Sequence, residues 1–164
     1  MPRIYKGNCF RGTVTQSGEM NDGHTYKAIQ DCTLRVISCS SDGSVVCQIT
    51  RREKQKFVDG SNVATSGMPA YLRNYLMTWG SSREIATGTF SEQTKLLSLE
   101  GSHPETTAPS SVMWNAHRYF ALVRDDRITG VVVNRDHQMD RRNYAGQINL
   151  KLDLHETVHK AHGL

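Results

Sequence analysis

The chain has 164 residues, a hydrophobic fraction of 37% and a formal net charge of +4 at pH 7. This length suits one domain, residues 1–164, and the composition is that of a soluble globular protein. The basic residues are scattered, as at Arg51-Arg52 and Arg141-Arg142, which argues against a nucleic-acid-binding surface. The sequence contains neither an apolar signal-peptide core nor a stretch of roughly 20 apolar residues for a membrane helix. We therefore expect a cytoplasmic protein without a membrane partner.

One short pattern, apolar-x-Gly-x-apolar, occurs four times along the chain. In a strand, alternate residues face the same side, so each glycine shares a face with two apolar residues. Interior glycines mark bends or close approaches, which coiled and closed sheets need. The pattern predicts a curved antiparallel sheet closed into a barrel, with the glycines also leaving interior volume. The four occurrences are Phe10-Arg-Gly12-Thr-Val14, Ala86-Thr-Gly88-Thr-Phe90, Ile128-Thr-Gly130-Val-Val132 and Tyr144-Ala-Gly146-Gln-Ile148.

The first third of the chain reads as strands joined by polar turns. Pairing Ser41 with Ser44 in the last turn puts Cys39 opposite Val46 and Cys47 on the other face, where the two thiols cannot bond. With no Cys-x-x-Cys present, we expect all four cysteines to be reduced and packed. The predicted strands are Cys9–Gln16, Tyr26–Ile29, Thr33–Cys39 and Val45–Thr50.

One helix is predicted in the middle of the chain, over residues 69–79. Pro69 suits a first helical position, apolar and aromatic residues then recur at helical spacing up to Trp79, and Gly80 ends the run. Its apolar face either packs over the barrel as core or forms one wall of a ligand site.

Strand patterns resume after the helix and continue to the C-terminus. A two-residue turn at Asp125-Asp126 would place Tyr119, Ala121 and Val123 on one face with residues 132, 130 and 128 of the next strand. About eight strands joined in chain order predict an up-and-down antiparallel barrel. The strands predicted here are Glu84–Ser91, Leu96–Glu100, Arg118–Arg124, Arg127–Asn134 and Gly146–Leu154.

The C-terminal residues His155-Glu156-Thr-Val-His159 have the spacing of a zinc-binding H-E-x-x-H motif, which requires a helix. The preceding alternation runs unbroken into His155, which we therefore place as the last outward residue of a strand. No confident metal site follows; His159, the tentative candidate, or His162 could act as a single ligand for a metal or haem, or as a base.

The glycine-bearing strands, the single helix and the meander together resemble the calycin-type barrels, which include lipocalins, fatty-acid-binding proteins and nitrobindin-like proteins. The first-strand Gly-x-Trp of lipocalins is absent, since Gly12 is followed by Thr13-Val14. The resemblance implies a central cavity. A nitrobindin-like protein would hold haem through a C-terminal histidine, for which His159 is the nearest candidate.

We expect the barrel to bind a small, largely apolar molecule, and no sequence motif identifies a cofactor. The residues expected to line or flank the pocket are Tyr26, Trp79, Trp114, Tyr119 and Phe120. A second interpretation is an enzyme on the same barrel, a cyclase, isomerase or lyase, with His117, Arg118 and Tyr119 as catalytic candidates. A third is a protein-interaction module whose barrel is filled by its own side chains.

Overall fold

The computed structural model describes residues 4–20, 25–58, 80–102, 105–106, 117–134 and 141–156, which form nine strands. The predicted helix over 69–79 lies outside these residues, as do Trp114 and His159. None of the helical structure within them is long and apolar enough to cross a membrane. The strands are β1 (Cys9–Met20), β2 (Thr25–Cys39), β3 (Ser44–Val58), β4 (Ser81–Phe90), β5 (Leu96–Gly101), β6 (Glu105–Thr106), β7 (His117–Arg124), β8 (Arg127–Asn134) and β9 (Arg141–Leu152).

Eight of these strands close into a barrel in which every neighbouring pair is antiparallel. The order around the barrel is β1-β2-β3-β4-β5-β7-β8-β9, and β9 pairs with β1 to complete it. The short β6 pairs with the start of β4. Closure removes the exposed edges that an open sheet would present. The predicted mainly β, up-and-down barrel of about eight strands is confirmed.

Strands β2 and β3 are among those longer than the alternation predicted, and a β-bulge interrupts their pairing. β2 runs unbroken through the expected gap after Ile29, and β3 extends as far as Val58. Their pairing shifts between Ile29 and Gln30, which leaves Lys54 as the extra residue on β3. A bulge of this kind bends the strand and changes which residues face inward.

The hairpin of β7 and β8 has the predicted register. Asp125 and Asp126 form its two-residue turn, and Ala121 lies opposite Gly130. Tyr119 and Val123 occupy the same inner face, and all three residues on β7 are buried. The alternation of apolar residues was therefore sufficient to predict this pairing.

The hairpin of β2 and β3 differs from the prediction by one residue. Cys39 pairs with Val45 rather than Val46, and a second irregularity between Val36 and Ser38 places Cys47 opposite Val36. The Ser40 amide donates a hydrogen bond of 2.9 Å to the carbonyl oxygen of Ser44, so the connection has three residues instead of the predicted two, with Gly43 at a φ of 90°. Cys39 and Cys47 consequently both contact the core, so the opposite-face argument was wrong, although all four thiols are free.

The last strand also ends earlier than predicted. β9 stops at Leu152, and residues 154–156 are helical, so His155 lies in a helical turn and not on a strand. The Asp153 carboxylate accepts a hydrogen bond of 3.0 Å from the Glu156 amide, which is the geometry of a helix N-cap. The Asp-x-x-Glu spacing is a capping signal that the strand interpretation overlooked.

Three of the four repeated glycines permit close approach of neighbouring strands. An added Cβ at Gly12, Gly88 or Gly130 would overlap the backbone oxygen of Asn149, Ser98 or Phe120 on the adjacent strand. A side chain there would therefore collide with the sheet itself instead of filling the interior. Close approach, one of the two roles predicted for interior glycines, is therefore found at these three positions, and these contacts give no support to a role in leaving interior volume.

The barrel interior has two chemically different halves. We call the half near the short turns at 40–43, 91–95 and 125–126 the apolar half, because its inward side chains are apolar and buried. The half near the longer connections contains the buried polar side chains, and we call it the polar half. The apolar half includes Phe10, Leu34, Leu97, Leu99, Ile128 and Leu150; the polar half comprises Gln16, Gln30, Arg51, Glu53, Lys56, Ser82, Glu84, His117 and Tyr119.

Candidate functional site

Four side chains from three strands meet around one carboxylate oxygen in the polar half. The Tyr119 hydroxyl donates a hydrogen bond of 2.5 Å to Oε1 of Glu84. Nδ1 of His117 lies 3.7 Å from the same oxygen, and Nη2 of Arg51 lies 3.9 Å from it. The side chains of Arg51 and Glu84 are completely buried. We call these four residues the Glu84 cluster.

The imidazole of His117 contacts the guanidinium of Arg51 directly. Nη2 of Arg51 lies 2.7 Å from Nδ1, and Nη1 lies 3.2 Å from Nε2. A guanidinium has donors only, so the closer imidazole nitrogen accepts and carries no proton. The shorter of the two contacts, at Nδ1, identifies the nitrogen best placed to accept from Arg51.

Strand alternation places each member of the cluster inside the barrel. On β3 the inward positions are Val45, Cys47 and Ile49. The next inward position, two residues further along the strand, is Arg51. On β4 the same rule connects Ala86 to Glu84. Neither charged residue was among the site residues predicted from the sequence, where Arg51 belongs to a scattered set of basic residues. Continuing the inward alternation of each strand past its last apolar residue would have placed Arg51 and Glu84 inside the barrel.

Gly101 makes room for the Glu84 carboxylate. A Cβ added at Gly101 would overlap Oε2 and lie 2.7 Å from the carboxyl carbon. Gly101 is the last residue of β5 and pairs with Ala86 on β4, so it lies beside the inward face that carries Glu84. A glycine at this position allows the carboxylate to sit against the backbone.

A second set of polar groups extends the site towards the long connections. Nζ of Lys56 lies 2.6 Å from Oε2 of Glu53, and both side chains are at least 96% buried. Nε2 of Gln30 donates a hydrogen bond of 3.3 Å to Oε1 of Gln16. The bulge at Lys54 explains why Glu53 and Lys56, three residues apart, both face inward.

Burial keeps the nearby acidic hydroxyl and thiol groups protonated. It raises the pKa of Tyr119 well above its ordinary value; Arg51 opposes this effect and Glu84 adds to it. Burial also raises the pKa of Cys32, on the neighbouring β2, to about 12. Tyr119 is therefore a hydrogen-bond donor to Glu84 throughout the physiological pH range.

Two buried polar atoms next to these groups have no hydrogen-bond partner among the described residues. They are Oγ of Ser82 and Oε1 of Gln30, and each residue is 3% exposed. Ser82 pairs with Arg51 across β3 and β4, and Gln30 pairs with Glu53 across β2 and β3. Both atoms thus lie at the level of the charged side chains and have unused hydrogen-bonding capacity.

The residues predicted from the sequence to form the site are placed as follows. His117 and Tyr119 belong to the Glu84 cluster. Arg118 points outward, with Nη2 3.8 Å from Oε1 of Glu100, and Phe120 also lies on the outer surface with 41% of its area exposed. Tyr26 lies on β2, and the structure describes its backbone but not its side chain. Trp79, Trp114 and His159 lie outside the described residues. Because side chains alternate along β7, His117 and Tyr119 point into the barrel, whereas Arg118 and Phe120 point outward.

Metal and haem sites were also considered at the sequence level. Among the described residues, no group of three or more His, Cys, Asp or Glu side chains has the arrangement of a metal site. The tentative ligand His159 falls outside them. Haem binding at the C-terminus therefore stays a prediction.

A separate concave region of about 730 Å³ lies at the opposite end of the barrel. It is bounded by the turns at 40–43 and 91–93, with the buried side chains of Val45 and Phe90 at its base. Its rim consists of turn residues such as Asp42 and Glu92. It contains none of the polar-half residues, so it serves as a reference surface for binding experiments.

Comparison of the chain with protein-family models, with curated proteins and with solved structures gives no match. The closed eight-strand barrel agrees with a calycin-like fold in general. Membership of the lipocalin, fatty-acid-binding or nitrobindin-like groups stays a prediction.

Proposed function

We propose that this protein binds a small organic molecule in the polar half of its barrel. The observation that carries the proposal is the pair of buried atoms Ser82 Oγ and Gln30 Oε1, which lack partners among the described residues. About nine in ten or more buried polar groups in native proteins are hydrogen-bonded to protein, water or ligand. A bound molecule with polar groups would supply the partners that these atoms require.

Energetics support a functional reason for the charges in this half. Two ion pairs, Arg51 with Glu84 and Lys56 with Glu53, are buried inside the barrel. Replacing a buried ion pair by well-packed apolar residues is often neutral or stabilising by about 1–4 kcal/mol, so such pairs are poor devices for stability alone. Binding or catalysis is the better reason to keep them here.

The ligand proposed here is more polar than the largely apolar molecule expected from the sequence. The inward positions nearest to the long connections are polar, so the molecule needs hydrogen-bonding groups as well as apolar surface. The apolar contacts would come from the adjacent layer, which includes Val14, Ile49, Val132 and Ile148. Pockets that combine apolar walls with a few placed polar groups are typical of small-molecule sites.

A library of neutral, anionic and cationic fragments provides the test. Thermal shift identifies stabilising compounds, and ¹H–¹⁵N chemical-shift mapping locates them; the expected amide shifts are at Arg51, Ser82 and His117. Ser82→Ala should weaken binding while leaving the protein as stable or more stable, because an unsatisfied buried polar group costs about 1–3 kcal/mol. Ser98→Ala is the matched control, since Ser98 lies on β5 at an outward position.

Two results would contradict the proposal. One is a library in which no compound shifts the polar-half amides. The other is binding that maps to the concave region at residues 40–43 and 91–93. Either result favours the interaction-module alternative, whose filled barrel matches the close packing of the apolar half.

A catalytic use of the same site is the second candidate. The Glu84 carboxylate lies within hydrogen-bond reach of a phenol and 3.7 Å from an imidazole nitrogen. This combination places a base and two proton carriers around one point, as proton-transfer chemistry in an isomerase or lyase requires. Slow conversion of a bound fragment, followed by NMR and lost in His117→Gln at unchanged melting temperature, would support it.

A further inference from the structure

The thiol of Cys9 is buried on the outer side of the barrel. Cys9 is 0% exposed, yet it does not belong to the cluster of side chains that fills the interior, which on β1 begins with Phe10. Side chains alternate along a strand, so Cys9 faces away from Phe10. It shares the outer face with Arg35, the residue directly opposite on β2. A segment outside the sheet must therefore cover this thiol.

The helical residues 154–156 and their N-cap, Asp153, lie against Cys9, and we call residues 153–156 the C-terminal turn. The Asp153 amide donates a hydrogen bond of 2.8 Å to the carbonyl oxygen of Cys9. Burial raises the pKa of the Cys9 thiol; Arg35 opposes this effect, and the carboxylates of Asp153 and Glu156 add to it. Backbone contact and electrostatic influence together place the C-terminal turn over the thiol.

The contacts that hold the C-terminal turn among the described residues are polar. Nη2 of Arg35 lies 2.8 Å from Oε1 of Glu156, and Nη1 of Arg11 lies 3.6 Å from Oδ2 of Asp153. Leu154, the one aliphatic side chain in the turn, is 68% exposed and so contributes little apolar burial. Ion pairs with access to solvent are weak and are screened by salt. The turn should therefore open far more easily than the barrel strands unfold.

The guanidinium of Arg35 is only partly satisfied while the C-terminal turn is closed. Its Nη2 donates to Glu156, whereas its buried Nη1 has no hydrogen-bond partner among the described residues. An unsatisfied buried donor is costly, and a charged one more so. Opening of the turn hydrates this group, which reduces the advantage of the closed state.

We infer that the C-terminal turn is a salt-sensitive latch, which opens while the barrel stays folded and gives solvent access to the Cys9 thiol. The end of β9 remains attached, because the Leu152 amide donates a hydrogen bond of 2.7 Å to the carbonyl oxygen of Asp126. The hinge therefore lies between Leu152 and Asp153. The latch contains none of the polar-half residues, so it does not depend on the proposed function.

Opening also changes the charges around the thiol. It moves the carboxylates of Asp153 and Glu156 away, while Arg35 and Arg11 stay on the strands beside Cys9. Neighbouring cations and access to water both favour the thiolate, which is the nucleophilic form of cysteine. The open state thus presents a thiol that electrophiles can modify, and the closed state protects it.

Site-resolved alkylation of the full chain tests the latch. Native protein is treated with N-ethylmaleimide at pH 7, and peptide mass spectrometry gives the rate at each cysteine. Glu156→Gln removes the charge but keeps a side chain that can cap the turn, and it should raise the Cys9 rate about fivefold. Raising NaCl from about 0.05 M to about 0.5 M should accelerate Cys9 in the original chain and much less in this variant. Glu100→Gln, which removes an exposed ion pair with Arg118 on β7, is the matched control and should leave the Cys9 rate unchanged.

The other thiols distinguish opening of the latch from unfolding of the barrel. Cys32 and Cys47 are buried inside the barrel and should stay unlabelled while Cys9 reacts. A Cys9 rate that is unchanged by Glu156→Gln or by salt overturns the inference. Labelling of all three thiols at one rate also overturns it, because Cys9 is then exposed only when the barrel unfolds. Equal acceleration by Glu100→Gln does the same, since that substitution leaves the C-terminal turn intact.

Discussion

Substitution of Gly88 by alanine should destabilise the barrel far more than the same change at Gly146. A Cβ added at Gly88 would overlap the carbonyl oxygen of Ser98 and lie 3.0 Å from Cα of Leu99. These are backbone atoms of the paired strand β5, so no rotamer change can relieve the contact. Strands β4 and β5 would have to separate at this pair.

The expected magnitude follows from the contacts that this separation affects. Overpacking costs about 1–3 kcal/mol, and each ladder hydrogen bond that is lost or stretched adds about 1 kcal/mol. Gly88→Ala should therefore lower the free energy of unfolding by about 3–5 kcal/mol, a large fraction of the roughly 5–15 kcal/mol of a typical domain. At Gly146 the nearest atoms are oxygens at 3.2 and 3.3 Å. The reduced backbone entropy of alanine in the unfolded chain offsets this mild crowding, so the change should stay within about 1 kcal/mol.

Equilibrium unfolding in urea, followed by tryptophan fluorescence and circular dichroism, measures both variants against the original chain. An unchanged m-value for each shows that the unfolded reference is the same. Equal destabilisation by the two substitutions, or a loss below about 1 kcal/mol at Gly88, would contradict the conclusion that the repeated glycines serve strand approach.

Three further predictions concern single side chains. Tyr119→Phe removes the donor to the buried Glu84 carboxylate and should cost about 2 kcal/mol in urea unfolding; a loss near zero would mean that the hydrogen bond is replaced. Hydrogen bonds within the turn, the Ser40 hydroxyl foremost, lower the pKa of Asp42 to about 2. Its folded pKa lies below the ordinary 3.8, so its contribution is present above that value and is lost as pH falls from about 4 to 2; Asp42→Asn should flatten this part of the stability–pH profile. Burial raises the pKa of Cys32 to about 12. The free energy of unfolding should therefore decline as pH rises above 9, where the thiol of the unfolded chain ionises. The Cys32 thiol should also react with Ellman's reagent at pH 8 only after denaturation.

Local pattern predicted some parts of the barrel correctly because the physical cause is itself local. The two-residue turn at Asp125-Asp126 and the alternation around Ala121 determine the β7–β8 register without reference to any distant segment. The predicted pairing was wrong where one extra residue changed which side chains face inward, as at the bulges near Lys54 and Ser38. A bulge leaves almost no mark in composition, yet it reverses the face of every residue beyond it.

The end of β9 shows a different source of error. Alternation through Leu152 and Leu154 favoured a longer strand, whereas the Asp153 side chain caps a helical turn that includes His155. Two local signals competed, and the hydrogen bond to the Glu156 amide is the one that the structure uses. Ion pairing of Glu156 with Arg35 on β2, at 2.8 Å, adds a long-range contact to the same turn.

By itself, the sequence determined the fold class and the inward position of Tyr119, because period-two alternation and turn chemistry act between neighbouring residues; His117, predicted to precede the strand, is its first residue. Only the tertiary structure decided that Arg51 and Glu84 meet them. The contact between Arg51 and His117 spans 66 residues, and that between Glu84 and Tyr119 spans 35. Such contacts depend on closure of the barrel and on the register of each intervening pair, and no local pattern contains that information. The polar half, and with it the candidate function, is therefore a property of the closed barrel.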